Sequence, residues 1–256
     1  MDVINFNKNA WNQMVDNKNQ WTVPVSSEKV EEARKGNWSV LLTPDKPVPS
    51  DWFPVMTGLK ILALASGGGQ QAPIFAAAGA DVVVFDNSPR QLEQDLMVAQ
   101  RDGLTLKTVE GDMTNLSVFP DGTFDFIFHP CSNVFVPDVN PVWREAFRVL
   151  KKGGTMIAGL CNPVSFTVDP ELEKQGIVQM KYKIPYSDAT SLSEEERVRL
   201  YGKDEPIHYG HTLQDLIGGQ LEAGFLMTGF YEDGWKSSTL VNEFLNCYIA
   251  TKAIKP

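Results

Sequence analysis

Residues 59–65, LKILALA, make a short unbroken apolar run that stops at Ser66 and three successive glycines. A run of this length without polar alternation fits a strand buried on both faces, the condition of a parallel sheet covered by helices. The same kind of run returns at 81–86 (DVVVFD) and 124–130 (FDFIFHP). Residues 70–78, closed by Gly79, suit a short helix. Residues 88–103 suit a longer one, with Ser88 as N-cap, Pro89 at the first helical position and Gly103 at its end. Residues 104–112 alternate as a strand, 139–154 read as a helix with Lys151 and Lys152 in its last turn, and 155–161 as a fifth strand. This alternation implies right-handed βαβ units.

The rhythm breaks at 162–206. There Asp169 is placed to cap a helix with Pro170 at its start, and Ser193 with Glu196 forms a capping box, so the acidic run at 194–196 reads as a solvated helix start. A helix at 212–224 precedes two strands, 225–233 and 244–254, whose link of about ten residues is too short for a crossover helix and makes them antiparallel. The expected fold is α/β, a doubly wound, mostly parallel seven-stranded sheet with an antiparallel C-terminal hairpin. Four regions follow: an N-terminal arm (1–57), a core (58–161), an insert (162–210) and the completion of the sheet (211–256). The arm holds four of the six tryptophans (Trp11, Trp21, Trp38, Trp52) and ends in an extended stretch with prolines at 44, 47, 49 and 54.

Charge narrows the function. With 23 basic against 32 acidic residues the net charge is −9, which repels a phosphate backbone and points to a small-molecule substrate and no nucleic acid. Cys131, Cys161 and Cys247 are far apart in sequence with no CxxC, so neither a disulfide framework nor a zinc site is expected. The polar N-terminus lacks the pattern of a secretory signal, and no apolar run approaches the ~18–20 residues of a membrane span. A cytoplasmic location without membrane attachment is expected.

Three readings of the glycine turn compete. Gly67-x-Gly69-x-x-Ala72 fits a nucleotide-type fingerprint, with Asp86 at the end of the next strand able to accept both hydroxyls of a ribose. Ser66 followed by Gly68 resembles a nucleophile elbow, with His208 or His211 as partner. However, Leu64 fills a place where a small residue is wanted, and no earlier strands build the sheet. A purely structural tight turn is the third. Gly111-Asp112-Met113 after the third strand favours the first, because it sets a second carboxylate on the same rim, with Met113 to cover a ring.

This order of parts resembles the class I S-adenosylmethionine-dependent methyltransferases, which have a Rossmann-like core and an antiparallel last strand. The stretches LASGGGQQAPIFAAAGADV, HPCSNVFVPDV and GHTLQDLIGGQLEAGF resemble a group of bacterial methyltransferase-like proteins. The resemblance makes 58–161 the cofactor-binding core and S-adenosylmethionine the cofactor. It implies that Ala65, Ser66, Gly67 and Gly69 pass under the methionine part of the cofactor, that Asp86 binds the ribose with Asn87 alongside, that Asp112 and Met113 frame adenine, and that His129 faces the cofactor. Two departures stand out: Ala63 where the family carries an acid, and Ala65 where it carries glycine. Gln70 or Gln71 is then expected to replace the hydrogen bonding of the missing acid.

Methyl transfer needs no obligatory catalytic signature, and none is read here. His129-Pro130-Cys131-Ser132 departs from the Asn/Asp-Pro-Pro-aromatic motif of base-amino methyltransferases. His129 is either a base or a hydrogen-bonded packing residue. His208, Tyr209 and His211, with Tyr186, are placed to face the acceptor, and the H-x-x-H spacing lacks a third metal ligand. Trp11 and Trp21 are candidates to close over the sulfonium as a lid, where a cation over an aromatic face gains ~0.5–2 kcal/mol, and the insert is a candidate cover of the acceptor site. The reading is a methyltransferase acting on a small-molecule acceptor. Its alternatives are an NAD(P)-dependent oxidoreductase and a non-catalytic S-adenosylmethionine-binding protein.

Overall fold

The structure, a computed structural model, describes residues 2–235 and 240–256. Seven strands form one sheet: β1 (Lys60–Leu64), β2 (Asp81–Asp86), β3 (Leu106–Glu110), β4 (Phe124–His129), β5 (Leu150–Cys161), β6 (Leu226–Asp233) and β7 (Tyr248–Ile254), in the order 3-2-1-4-5-7-6. β1 to β5 pair in parallel, and β7 runs antiparallel to both β5 and β6. The expected doubly wound sheet and its antiparallel end are therefore present. Part of the β6–β7 link, residues 236–239, lies outside the described residues.

The apolar runs explain the sheet. Successive residues of a strand point to opposite faces, so Leu62, Leu64, Val83 and Phe85 pack on one side with Trp143 and Val142. Ile61, Ala63, Val82 and Val84 pack on the other with Phe75, Phe126 and Phe128. The first layer is covered by α5 (Asn140–Val149) and the second by α3 (Ala72–Ala77). The helix α4 (Pro89–Asp102) has the expected ends: Ser88 Oγ accepts from Gln91 N at 3.2 Å, and Gly103 closes it in the left-handed region at φ 64°.

Two boundaries differ from the sequence reading. The helix expected over 139–154 ends at Val149, and Lys151 and Lys152 belong to β5. The carbonyls of Arg148 and Val149 accept from Gly122 N and Thr123 N, and Lys151 Nζ donates to Asp125 at 2.7 Å, so partners across the sheet claim the segment that charge at a helix end suggested. The helix expected over 212–224 opens as a wide π turn, Gln214–Gly218, before one α-helical turn at Gly219–Glu222. The Asp215 carbonyl accepts from the Trp143 indole at 2.9 Å, which takes it out of the ordinary helical ladder.

The arm contributes α1 (Val3–Asp16) and α2 (Ser27–Arg34). Asn7, almost fully buried, donates to the carbonyls of Phe135 (3.0 Å) and Ile207 (3.1 Å) and accepts from Ile207 N (2.7 Å). One side chain thus joins arm, core and insert. Among the described residues no helix is long and apolar enough to cross a membrane. Asn7→Ala leaves three buried backbone groups unpaired and should cost about 2–4 kcal/mol of stability. Chemical denaturation followed by circular dichroism checks this.

Candidate active site

β1 ends in a turn whose backbone is held from behind by two buried carboxylates. Asp86 Oδ2 accepts from Gly67 N at 3.0 Å, and its Oδ1 accepts from Ser88 N at 2.9 Å. Asp95, fully buried on α4, accepts from Gly68 N at 3.0 Å. Its other oxygen, Oδ1, has no partner. Burial pushes both carboxyls above the usual carboxylate range, Asp95 further than Asp86, with the Asp86 charge adding to the effect on Asp95.

The glycines are explained by these neighbours. A Cβ on Gly67 would lie 2.7 Å from Gln91 Cβ and 3.1 Å from Asp86 Oδ2. On Gly69 it would lie 2.9 Å from the Gln94 carbonyl oxygen and 3.1 Å from Pro24 Cβ. The turn is pressed between α4 and the arm, and Gly69 O accepts from Val25 N at 2.8 Å. A phosphate cradle needs free N–H groups at this turn. Here the amides of Gly67 and Gly68 are spent on carboxylates, which argues against a dinucleotide pyrophosphate.

Ala65 sits where the resemblance expects glycine and adopts φ 47°, a left-handed conformation. Its N–H donates to Phe85 O at 2.7 Å and its carbonyl accepts from Ser132 Oγ at 2.6 Å, which together fix this geometry. A left-handed alanine costs ~1–2 kcal/mol. Ala63 is fully buried beside Val84 and Phe128, in the second apolar layer.

A cavity of about 1560 Å³ opens over this turn. Ala65, Ser66, Gly67, Gln71, Asp86, Asn87, Asp112 and Met113 line it, as do Gly111 and Ser132. Ser66 Oγ and Gln91 Oε1 are buried on it without a hydrogen-bond partner. Both Asp112 carboxylate oxygens are engaged by Thr114, from its N–H (3.0 Å) and its hydroxyl (2.6 Å). Gly69 and His129 are not among the lining residues. Gly69 faces Gln94 and Pro24, and His129 is fully buried. His129 Nδ1 donates to Leu64 O at 2.9 Å, its Nε2 faces the Asn133 amide at 3.3 Å, and burial lowers its pKa to about 4. It is a packing residue that ties β4 to β1.

The opposite wall comes from the arm and the insert: Trp11, Trp21, Phe166, Tyr182, Tyr186 and His208. Gln70 reaches the cavity, but its amide is committed to the arm, donating to Gln20 O (3.2 Å) and Val23 O (3.1 Å). The Gln71 amide has no such partner among the described residues. Tyr209 and His211 lie off the cavity, with His211 Nε2 donating to Asn133 O at 3.0 Å. Cys131 and Cys161 are free thiols, and no group of three metal-ligating side chains occurs among the described residues. Cys131 and Cys161, thirty residues apart in sequence, both line the cavity wall, and Cys131 Sγ donates to Leu42 O at 3.3 Å.

Two tests follow. Ala65→Gly removes the left-handed strain and should raise stability by about 0.5–1 kcal/mol, read as a higher melting temperature. A carboxyl whose folded pKa is raised contributes full stability below its unfolded pKa, near 4, and loses it as pH rises toward the folded value. Asp95→Asn, which keeps an acceptor for Gly68 N, should therefore be more stable than the parent by about 1–3 kcal/mol at pH 8. The gain should vanish near pH 4, as denaturation at the two pH values will show.

Comparison with known proteins agrees with the geometry. The family described as methyltransferase domain matches residues 62–158. The Bacillus subtilis protein named Uncharacterized methyltransferase YbaJ is 51% identical over 99% of this chain and 98% of its own length. The sterol 24-C-methyltransferase erg6 of Aspergillus fumigatus is 37% identical over 103 residues, 39% of this chain and 27% of its own. Among solved structures, an S-adenosylmethionine-dependent methyltransferase from Mesorhizobium loti shares the fold with a TM-score of 0.62 at 16% identity, over 80% of this chain and 94% of its own. The chain belongs to the class I S-adenosylmethionine-dependent methyltransferases, and its cofactor is S-adenosylmethionine.

Proposed function

We propose that the chain methylates a small-molecule acceptor inside the cavity between the glycine turn and the arm. The observation that carries the reading is that one continuous cavity joins Asp86 and Asp112, at the ends of β2 and β3, to an aromatic wall built by the arm and the insert. S-adenosylmethionine supplies a methyl carbon on a sulfonium, whose carbon–sulfur pair leaves with sulfur as the acceptor–carbon bond forms. The residues present fit it. Asp86 accepts the ribose hydroxyls with Asn87 beside it, and Asp112 and Met113 frame the adenine. Ala65, Ser66, Gly67 and Gln71 face the methionine part, where Ser66 Oγ is a buried hydroxyl in want of a partner. His129 and Gly69 support this wall from behind. In this reading Asp95 orders the turn from α4, the task that the family pattern gives to an acid at position 63.

Trp11 and Trp21 are lid residues over the sulfonium, and the insert covers the acceptor. A small acceptor is supported by the net charge of −9 and by the aromatic rings that wall the cavity. The sterol methyltransferases, by name, also act on a small molecule, but their likeness is confined to about 100 residues, and a sterol is not carried over. The free thiols of Cys131 and Cys161 accord with a cytoplasmic location.

Titration calorimetry should show binding of S-adenosylmethionine and S-adenosylhomocysteine and none of NAD. Asp86→Asn should weaken the first two by about tenfold to a hundredfold, the loss of one or two charge-assisted hydrogen bonds. Unchanged affinity in a variant whose circular dichroism is intact would remove Asp86 from the site. Incubation of a cell extract with methyl-labelled cofactor should place the label in the low-molecular-mass fraction, and label in RNA or protein would overturn the acceptor class.

A further inference from the structure

The chain has three histidines. His129 has both ring nitrogens engaged inside the core, and His211 spends Nε2 on a backbone carbonyl. His208 differs. Its Nδ1 lies 2.9 Å from Asp188 Oδ2, and its backbone N–H donates to the same oxygen at 2.8 Å. In return Asp188 N donates to His208 O at 3.1 Å. Asp188 is buried, whereas the His208 side chain keeps 31% of its surface exposed and lines the cavity. A carboxylate only accepts, so Nδ1 carries the proton and Nε2 keeps its lone pair. Among the described residues Nε2 has no hydrogen-bond partner.

The surroundings are flat and aromatic. The Phe135 ring centroid lies 5.3 Å from that of His208, and Trp11 packs on Phe135 at 5.2 Å. Phe166 stacks on Tyr186 at 5.6 Å. The Tyr186 hydroxyl, buried beside Asp188 and Tyr201, makes no well-formed hydrogen bond. The titratable and charged neighbours of the pair are Tyr186, Tyr201, Tyr209 and the Arg197 guanidinium. A short path links this cluster to the cofactor turn: Ser132 bonds to Ala65 O, and the 3-10 turn Asn133–Phe135 that follows it carries the ring packed on His208.

We infer that His208, oriented by Asp188, is the general base of this site, and that the acceptor is a phenolic hydroxyl on a flat ring seated against Tyr186 and Phe166. The inference rests on the reading of the cavity as a methyl-transfer site. A thioether or an aromatic amine attacks with a lone pair that is already free and gives a His–Asp pair little to do. A phenol must lose a proton as its oxygen attacks, and a positioned imidazole nitrogen can take it. As the oxygen takes the methyl carbon, the O–H bond breaks, its electron pair stays on oxygen and the proton passes to Nε2. The imidazolium is then paired with Asp188 and returns its proton to water after product release.

The test uses 4-hydroxyacetophenone, whose phenol and phenolate absorb differently, with the full chain and no cofactor. The parent protein should bind the probe and raise its phenolate fraction at pH 7 several-fold, while His208→Ala should return it to the value in free solution. With S-adenosylmethionine and a panel of phenols, His208→Ala should lower kcat by about 10²–10³-fold, and His208→Gln, matched to the parent in circular dichroism, should do the same. Failure of the probe to bind, a phenolate fraction indifferent to His208, or transfer confined to amines would overturn the inference. Calorimetry with S-adenosylmethionine tests the methyltransferase reading on its own, because the ionisation of the probe is read without the cofactor.

Discussion

Two buried carboxylates hold this site together by facing the wrong way for a phosphate. Asp86 and Asp95 take up the amides of Gly67 and Gly68. A glycine turn with free amides is an anion site; with these amides bound to carboxylates, the turn offers no cradle for a phosphate. That turn suits a cation better than a diphosphate, and S-adenosylmethionine carries its reacting charge as a sulfonium. The cost is a pair of carboxyls kept out of water, and the helix α4 that brings Asp95 must pack hard against the turn. For that reason Gly67 and Gly69 admit no Cβ.

The strands were legible because a strand buried on both faces is apolar through its middle, and β1, β2 and β4 keep their polar residues at or next to their ends. The α4 ends were legible because Ser88, Pro89 and Gly103 act locally. The start of β5 was not. LKKGG carries every local sign of a helix end, and only the partners across the sheet, Asp125 and residues 122–123, decide otherwise. Asp95 was missed although a signal existed: it shares the buried stripe of α4 with Leu92, Val98 and Ala99 at helical spacing, where a surface acid does not belong. The rim residues Asp86, Asp112 and Met113 were readable from strand order alone. That Gly69 and His129 stand behind the wall was not, since strand ends fix a position along the sheet and leave the direction of the side chain open.

The arm and insert are where sequence reading ran out furthest. His208 and Asp188 lie twenty residues apart with no motif between them. They meet because a two-residue antiparallel pairing, Tyr186–Ser187 against Tyr209–Gly210, folds the insert back on itself. Asn7 then clamps this fold to the core through the carbonyls of Phe135 and Ile207. Phe135 lines the cavity and Ile207 precedes His208, so the arm braces the His208 end of the cavity as well as the turn.

The three histidines show how one residue type is assigned different tasks by its neighbours. In His129 the carbonyl of Leu64 and the Asn133 amide satisfy both nitrogens, and burial removes the protonated form from the physiological range. In His211 burial acts in the same direction, opposed by the Asn133 carbonyl. At His208 a carboxylate, not a carbonyl, is the partner of Nδ1, and the ring lines the cavity. A carbonyl fixes a tautomer; a carboxylate fixes the tautomer and also stabilises the charge that appears when Nε2 takes a proton. That difference, set by Asp188 at the start of a short helical turn, separates a histidine that holds two strands together from one that can accept a proton during a reaction.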